Sequence, residues 1–277
     1  MTVLYIAVDV VRELIARRVM IALLSLLSLG FLVLALALDL EVVEGALAAG
    51  RLFGTSLTST IVPIDVVMNN VFQLLAMQVF YLGALFGIVA TSDIAPTLLS
   101  PGRIEALLAL PVRRMELVVG TFLGVFAVAL MTALFAVGGI SAVLFWKAKL
   151  FTPAPLVGAL MASCAFVPLY GVMLLVASLT RSAAASAGAG LAVFVAGIAT
   201  SDREAFLGLF STGFARDAMS LVVAPLPRFP VLADFGAKVA GGDVVASLSL
   251  WGALGGAFTF AGACIGFACL VVMSKDY

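Results

Sequence analysis

FYLGALFGIVATSDIAPTLLSPGRIEALLALPVRRMELVVGTFLGVFAVAL, residues Phe80 to Leu130, shows in one stretch the two textures from which the whole chain is built. Both ends are apolar runs, while the middle carries Arg103, Glu105, Arg113, Arg114 and Glu116. Pro101 and Gly102 break the chain ahead of this polar island, and Pro111 breaks it again, which leaves two helical turns from Arg103 to Leu110. A helix needs about 20 apolar residues to cross the hydrocarbon of a bilayer. The stretch therefore reads as the end of one span, a short polar helix outside the membrane, and the start of the next span.

The same alternation runs through all 277 residues, of which 64% are hydrophobic and 11% charged, with mean hydropathy +1.26. Soluble domains run at about half apolar and a quarter charged, so only lipid can solvate the surplus. Six spans are predicted: Val19 to Leu38, Val66 to Ala90, Leu117 to Trp146, Pro155 to Leu179, Ala183 to Thr200 and Ser247 to Met273. The predicted fold is an all-α polytopic membrane protein, residues 1–277 forming a single transmembrane domain.

Ahead of the first span, Val3, Leu4, Ala7, Val10, Val11, Leu14 and Ile15 repeat at helical spacing, with Asp9, Arg12, Glu13 and Arg17 on the other face. Residues 2–18 thus predict an amphipathic helix lying in the membrane interface, with Glu13 and Arg17 as an i, i+4 ion pair. No cleavable leader is expected, because the first basic residue is Arg12 and no small-residue cleavage site follows a short apolar core. Basic residues in short loops set orientation. With the N-terminus inside, Arg12, Arg17, Arg18, Arg103, Arg113, Arg114, Arg181 and Lys275 lie inside, against Arg51, Lys147 and Lys149 in short outer loops. Both termini are expected in the cytoplasm. The loop 91–116 is then cytoplasmic, the first outer loop (39–65) is mildly acidic, and 201–246 is the largest outer segment. Short helices are predicted there over 203–210, 214–223 and 229–239, separated by Pro225, Pro227 and Pro230.

Several functions are excluded on composition. With 15 basic and 15 acidic residues there is no nucleic-acid footprint. With no histidine there is no imidazole base and no His-ligated metal, and no metal site is expected. Cys164, Cys264 and Cys269 all fall in apolar spans, as small packing residues do. No Asp, Glu, Lys or Arg lies deep in a predicted span, which counts against an ion-coupled carrier. Asn69, Asn70 and Gln73 fall on one side of their helix and Gln78 nearly opposite. Two readings are open for these amides, a substrate path and hydrogen bonding between helices. The pairs Gly120/Gly124, Gly252/Gly256 and Gly262/Gly266 permit close helix approach, within the subunit or along a dimer seam.

On composition alone the island is equally an interfacial loop whose arginines hold headgroups. The order of features, however, resembles the permease subunits of type-2 ABC exporters, the ABC-2 membrane family. In that family an elbow helix precedes six spans, and the loop between spans two and three follows a pattern near G-x-x-E-x-L-L-x-x-P-[VI]-x-R before a Gly-rich span. "GRIEALLALPVRRMELVVGTFLG" matches it at Gly102, Glu105, Leu107, Leu108, Pro111, Val112, Arg114, Gly120 and Gly124. The resemblance implies that this loop is the coupling helix that docks on an ATPase subunit, through Gly102, Arg103, Ile104, Glu105, Leu107, Leu108, Pro111, Arg113 and Arg114, with Arg181 in a smaller second contact. It implies two ATPase copies, a second permease subunit (the same chain or a sister), and the bacterial cytoplasmic membrane as the location. No lysine here has the context of a phosphate-cradling loop, so this chain is expected to bind no cofactor and not to be an enzyme. ATP and Mg would belong to the partner. The rival readings are a stand-alone carrier or channel, and a permease-like component of a copper-enzyme maturation system.

Overall fold

The computed structural model describes residues 2–43, 46–52, 55–56, 62–100, 102–103, 113–148, 153–208, 213–242 and 248–274. Along the chain run α1 (Thr2–Ala16), α2 (Arg18–Ala37), four short strands, β1 (Leu38–Val43), β2 (Ala46–Leu52), β3 (Thr55–Ser56) and β4 (Val62–Pro63), and then α3 (Ile64–Thr91) and α4 (Ile94–Leu98). After the island follow α5 (Arg114–Ala148), α6 (Ala154–Thr180), α7 (Ala183–Ala199), α8 (Arg203–Leu207), α9 (Phe214–Val223), α10 (Phe229–Ala240) and α11 (Leu248–Ser274).

Among the described residues four helices are long and apolar enough to cross a membrane: Asn69–Leu98, Arg114–Lys147, Ala154–Thr180 and Leu250–Ser274. A fifth is gained if α1 and α2, bent by 62° at their junction, count as one span. The protein is thus a multi-pass membrane protein. α7 has 17 residues, about 25 Å of helix, and falls short of the roughly 30 Å of bilayer hydrocarbon. The segment expected as a mildly acidic loop adds something the all-α reading lacked. β1 and β2 pair antiparallel, Leu38 opposite Leu52 through Val43 opposite Ala46. The apolar–acidic alternation of Leu38-Asp39-Leu40-Glu41-Val42 fits a strand period of two.

α6 is the axis of the bundle. Of its most apolar window 67% is buried, against 33% to 39% for the other three long helices, and α3, α5, α7, α10 and α11 all pack on it. Small residues permit this crowding: Gly171 brings α6 onto the backbone of Ala261 in α11, and Gly158 meets Gly236 of α10.

The shortness of α7 is made up by α10. Phe229, Leu232, Ala233, Gly236, Ala237 and Ala240 are buried at i, i+3, i+4 spacing, while Asp234 and Lys238 pair on the exposed face at 2.7 Å. Phe229 packs on Phe194 of α7 with ring centroids 5.5 Å apart. Ala237 and Ala240 close a cluster with Phe72 and Ala76 of α3. Tyr81, whose ring tilts against Phe194 at 6.2 Å, and Phe72 are nine residues apart, so α10 climbs along α3 by about 13 Å above the level of Phe194. That is about 6 Å beyond the end of α7, which lies five residues past Phe194.

α1 lies on α5. Gly120 faces Ile6 and the carbonyl of Val3, and Gly124 faces Val10 and the carbonyl of Ala7. Val10 and Leu14 of α1 are fully buried in the core. By contrast, a Cβ added at Gly252, Gly255, Gly256, Gly262 or Gly266 would meet nothing within 4 Å. The first of the three glycine pairs therefore packs inside the subunit, and the other two face outward from α11.

Candidate functional site

The α1 end of the bundle gathers the charges that the spans exclude. Beneath it lies a layer in which Ala95 and Leu99 follow α3, Leu117 and Val118 begin α5, Leu174 and Ala177 end α6, and Ala268 and Val272 end α11. On this layer sits a junction of four charged side chains. Arg17, at the break between α1 and α2, donates to a carboxylate oxygen of Asp93 and to Glu13 Oε1 at 2.6 Å. Arg103 donates to both oxygens of Glu13, at 3.2 and 2.5 Å. The junction is neutral overall, with two guanidiniums and two carboxylates.

Local chain geometry sets up these contacts. Glu13 and Arg17 are one helical turn apart, so they share a face of α1. Asp93 precedes α4 in the capping position, yet its side chain makes no cap bond and reaches Arg17 instead. Gly102 has φ +83°, in the left-handed region that glycine enters without a Cβ penalty. That turn sends Arg103 back toward α1.

Arg17 and Glu13 keep only 20% and 22% of their side chains exposed, and Arg103 keeps 33%. This shielding makes the contacts at Glu13 stronger than an open surface pair, whereas the Asp93 side chain is half-exposed and its pair with Arg17 is screened more. Burial on its own would raise the Glu13 pKa, but hydrogen bonds from Arg103 and Arg17, with their charges, outweigh it and hold the carboxyl below its ordinary value. Burial would likewise lower that of Arg17, and hydrogen bonds to Glu13 and Asp93 reverse the sign. Both groups stay ionised through neutral pH.

The other cations expected to touch a partner also lie at this end. Arg114 donates to the backbone carbonyls of Val272 at 3.4 Å and Met273 at 3.2 Å. These belong to the last turn of α11, where carbonyls lack helical partners and a cation opposes the helix dipole. Arg113 is exposed, and its N–H donates to Glu116 at 3.1 Å, the backward half of a capping box that starts α5. Arg181 is exposed at the end of α6 with φ 55°; its N–H closes on Ala177, and Ser182 then starts α7 by accepting from Ala185 N–H at 3.4 Å. Ile104, Glu105, Leu107, Leu108 and Pro111 lie outside the described residues.

The amides separate as their helical angles predicted. Asn69 and Asn70 are exposed; Gln73 packs on Gly241 and Asn69 near Gly242, both just past α10. Gln78 instead lines a cleft between α2, α3, α5 and α6.

The i, i+4 pair of Glu13 and Arg17 was legible in the sequence. The Arg17–Asp93 and Arg103–Glu13 contacts, 76 and 90 residues apart, were not. The usable signal was the rarity of acidic residues beside a basic cluster: Asp93 stands at a span end where its charge needs a partner.

Set against known proteins, the chain matches no protein-family model, and no curated protein matches it.

Proposed function

We propose that the chain is the membrane-spanning permease subunit of an ABC-2 type exporter. In this reading it has six spans, α2 and α7 included, with α1 as the elbow helix and both termini in the cytoplasm of a bacterium. Two copies of a separate ATPase, carrying ATP and Mg, dock on the 91–116 loop and on Arg181. A second permease subunit completes the assembly.

The observation that supports this reading is the junction itself. The loop that carries the coupling-helix motif is tied at its root, through Arg103 and Asp93, to Glu13 of α1 and to Arg17 just after it. α1 is seated along α5, and the exit of the loop is tied through Arg114 to the end of α11. A push on this loop therefore reaches α1, α3, α5 and α11 together. A loop that only anchored headgroups would need no such bracing.

The test is affinity purification of the chain from its own cells in mild detergent, followed by mass spectrometry and ATP-hydrolysis assay. Copurification of a nucleotide-binding subunit is expected. Glu105→Ala and Leu108→Ala should abolish its retention, while Arg17→Ala should leave it bound and lower the coupling of hydrolysis to transport. Solute movement by the purified chain alone in vesicles, with no ATPase retained, would overturn the reading.

A further inference from the structure

Among the described residues the bundle holds a large cleft to which the proposed function assigns no role. It has a volume of about 280 Å³ and is lined by α2, α3, α5 and α6. On α3 its wall runs from Leu75 to Thr91, about 24 Å of helix rise, so the cleft is a long, narrow slot parallel to the spans. It exists because α2 packs along α5 rather than along α3, with Phe31 seated on Gly139 and against Phe135. Small residues keep it open: Gly83, Ala129 and Ala133 line it, and a Cβ added at Gly83 would meet nothing within 4 Å, whereas Gly87 is covered by the Phe166 ring.

The chemistry of the walls selects the occupant. Two of the four polar side chains in the lining satisfy themselves, Thr91 on the Gly87 carbonyl at 2.8 Å and Ser163 on the Ala159 carbonyl at 2.9 Å; Gln78 and Thr132 remain. A cavity this apolar does not retain water and takes hydrocarbon instead. Its base, at Met20, Ala90 and Thr91, lies within three residues of Arg17 and Asp93, at the polar edge of the α1 end. From that edge a single leaflet is about 15 Å deep, which fits within the slot. Helix ends and charge place the opening where a lipid's headgroup stops and its tail begins.

We propose that this slot is a binding site for one acyl chain of a membrane phospholipid from the leaflet at the α1 end. The bound chain fills the gap between α2 and α3 and completes the packing that the protein's own small side chains leave unfinished. The proposal does not depend on what the protein transports, or on whether it does.

The experiment reconstitutes the full chain in phosphatidylcholine vesicles containing a phosphatidylcholine with a diazirine in mid-chain, irradiates them, and maps adducts by peptide mass spectrometry. Adducts at Leu82 and Phe86, beside the slot, should exceed several-fold those at Phe258 and Phe267 on the outward face of α11. Gly83→Leu with Ala133→Leu should bring that ratio to about one and leave α11 labelling unchanged. A ratio near one in the native protein overturns the proposal, and that measurement decides alone if the filled variant does not elute as a single species. Slot adducts that persist undiminished in a well-folded filled variant, or a cross-link between two copies of the chain through Gly83→Cys, would overturn it as well. So would a non-lipid mass retained by protein taken from cells and displaced by the filling substitutions.

Discussion

The seat of α1 on α5 offers the sharpest quantitative test. A Cβ at Gly124 would lie 2.7 Å from the carbonyl oxygen of Ala7 and 2.8 and 2.9 Å from Cβ and Cγ1 of Val10. Ordinary carbon contacts lie at about 3.5–4.0 Å, so α1 would have to move away by nearly 1 Å. Rotamer change cannot relieve this clash, because the nearest atom is backbone and Val10 is fully buried. Overpacking of this kind costs about 1–3 kcal/mol, against which the better helix propensity of alanine returns at most about 1 kcal/mol. Gly124→Ala should therefore destabilise by about 1–2 kcal/mol, which at about 2–4 °C per kcal/mol for a chain of this size lowers the melting point by about 2–8 °C. Gly256→Ala is the control: it has the same chemistry in a helix where the added methyl meets nothing within 4 Å, and it should melt at or above the parent. Melting in detergent, followed by fluorescence-detected gel filtration, measures both. If Gly124→Ala melts as high as Gly256→Ala, α1 is not seated on α5 as described.

Four further outcomes are expected. In a double-mutant cycle, Arg17→Ala and Asp93→Ala should be non-additive by about 0.5–1 kcal/mol, because the Asp93 side chain is half-exposed and solvent screens the pair; strict additivity in melting experiments would remove the pair. Glu13 has a depressed pKa, so its contribution is full above the unfolded value near 4.3 and is lost as pH falls through the lower folded value; Glu13→Gln should flatten the acid limb of a stability–pH profile below about pH 5. Phe229→Ala should cost about 3–5 kcal/mol, since the ring is fully buried, whereas Asp234→Ala on the exposed face of the same helix should cost under about 1 kcal/mol; equal melting points would mean that α10 is not docked. Tyr170 holds a buried hydroxyl without a hydrogen-bond partner, so Tyr170→Phe should melt no lower than the parent, and a marked loss would reveal a partner for it.

The sequence disclosed features governed by short-range rules. The 3.6-residue repeat of Val3, Ala7, Val10 and Leu14 predicts α1, and uninterrupted apolar runs predict the long helices. Pro225 and Pro227 fall between the expected helices 214–223 and 229–239, which correspond to Phe214–Val223 and Phe229–Ala240. Pro230, expected as a separator, sits instead inside the first turn of α10, where its missing N–H costs no helical bond. Contacts between distant segments were hidden. Nothing local tells Gly124, pressed against α1, from Gly256, which faces outward. Arg114 reads as a surface cation from its neighbours in sequence, yet it bonds carbonyls more than 150 residues away. The hairpin of β1 and β2 sits between two apolar helices, where its period-two pattern is only six residues long and easily overlooked.

A column assembled from α7 below and α10 above has a joint at Phe194 and Phe229, and no ladder of peptide hydrogen bonds crosses it. A continuous rod can tilt only as one body. This one is two short rods that both rest on α6, so a tilt of α6 carries them together, and any offset of one against the other is taken up where the two rings meet, with no turn of helix unravelled.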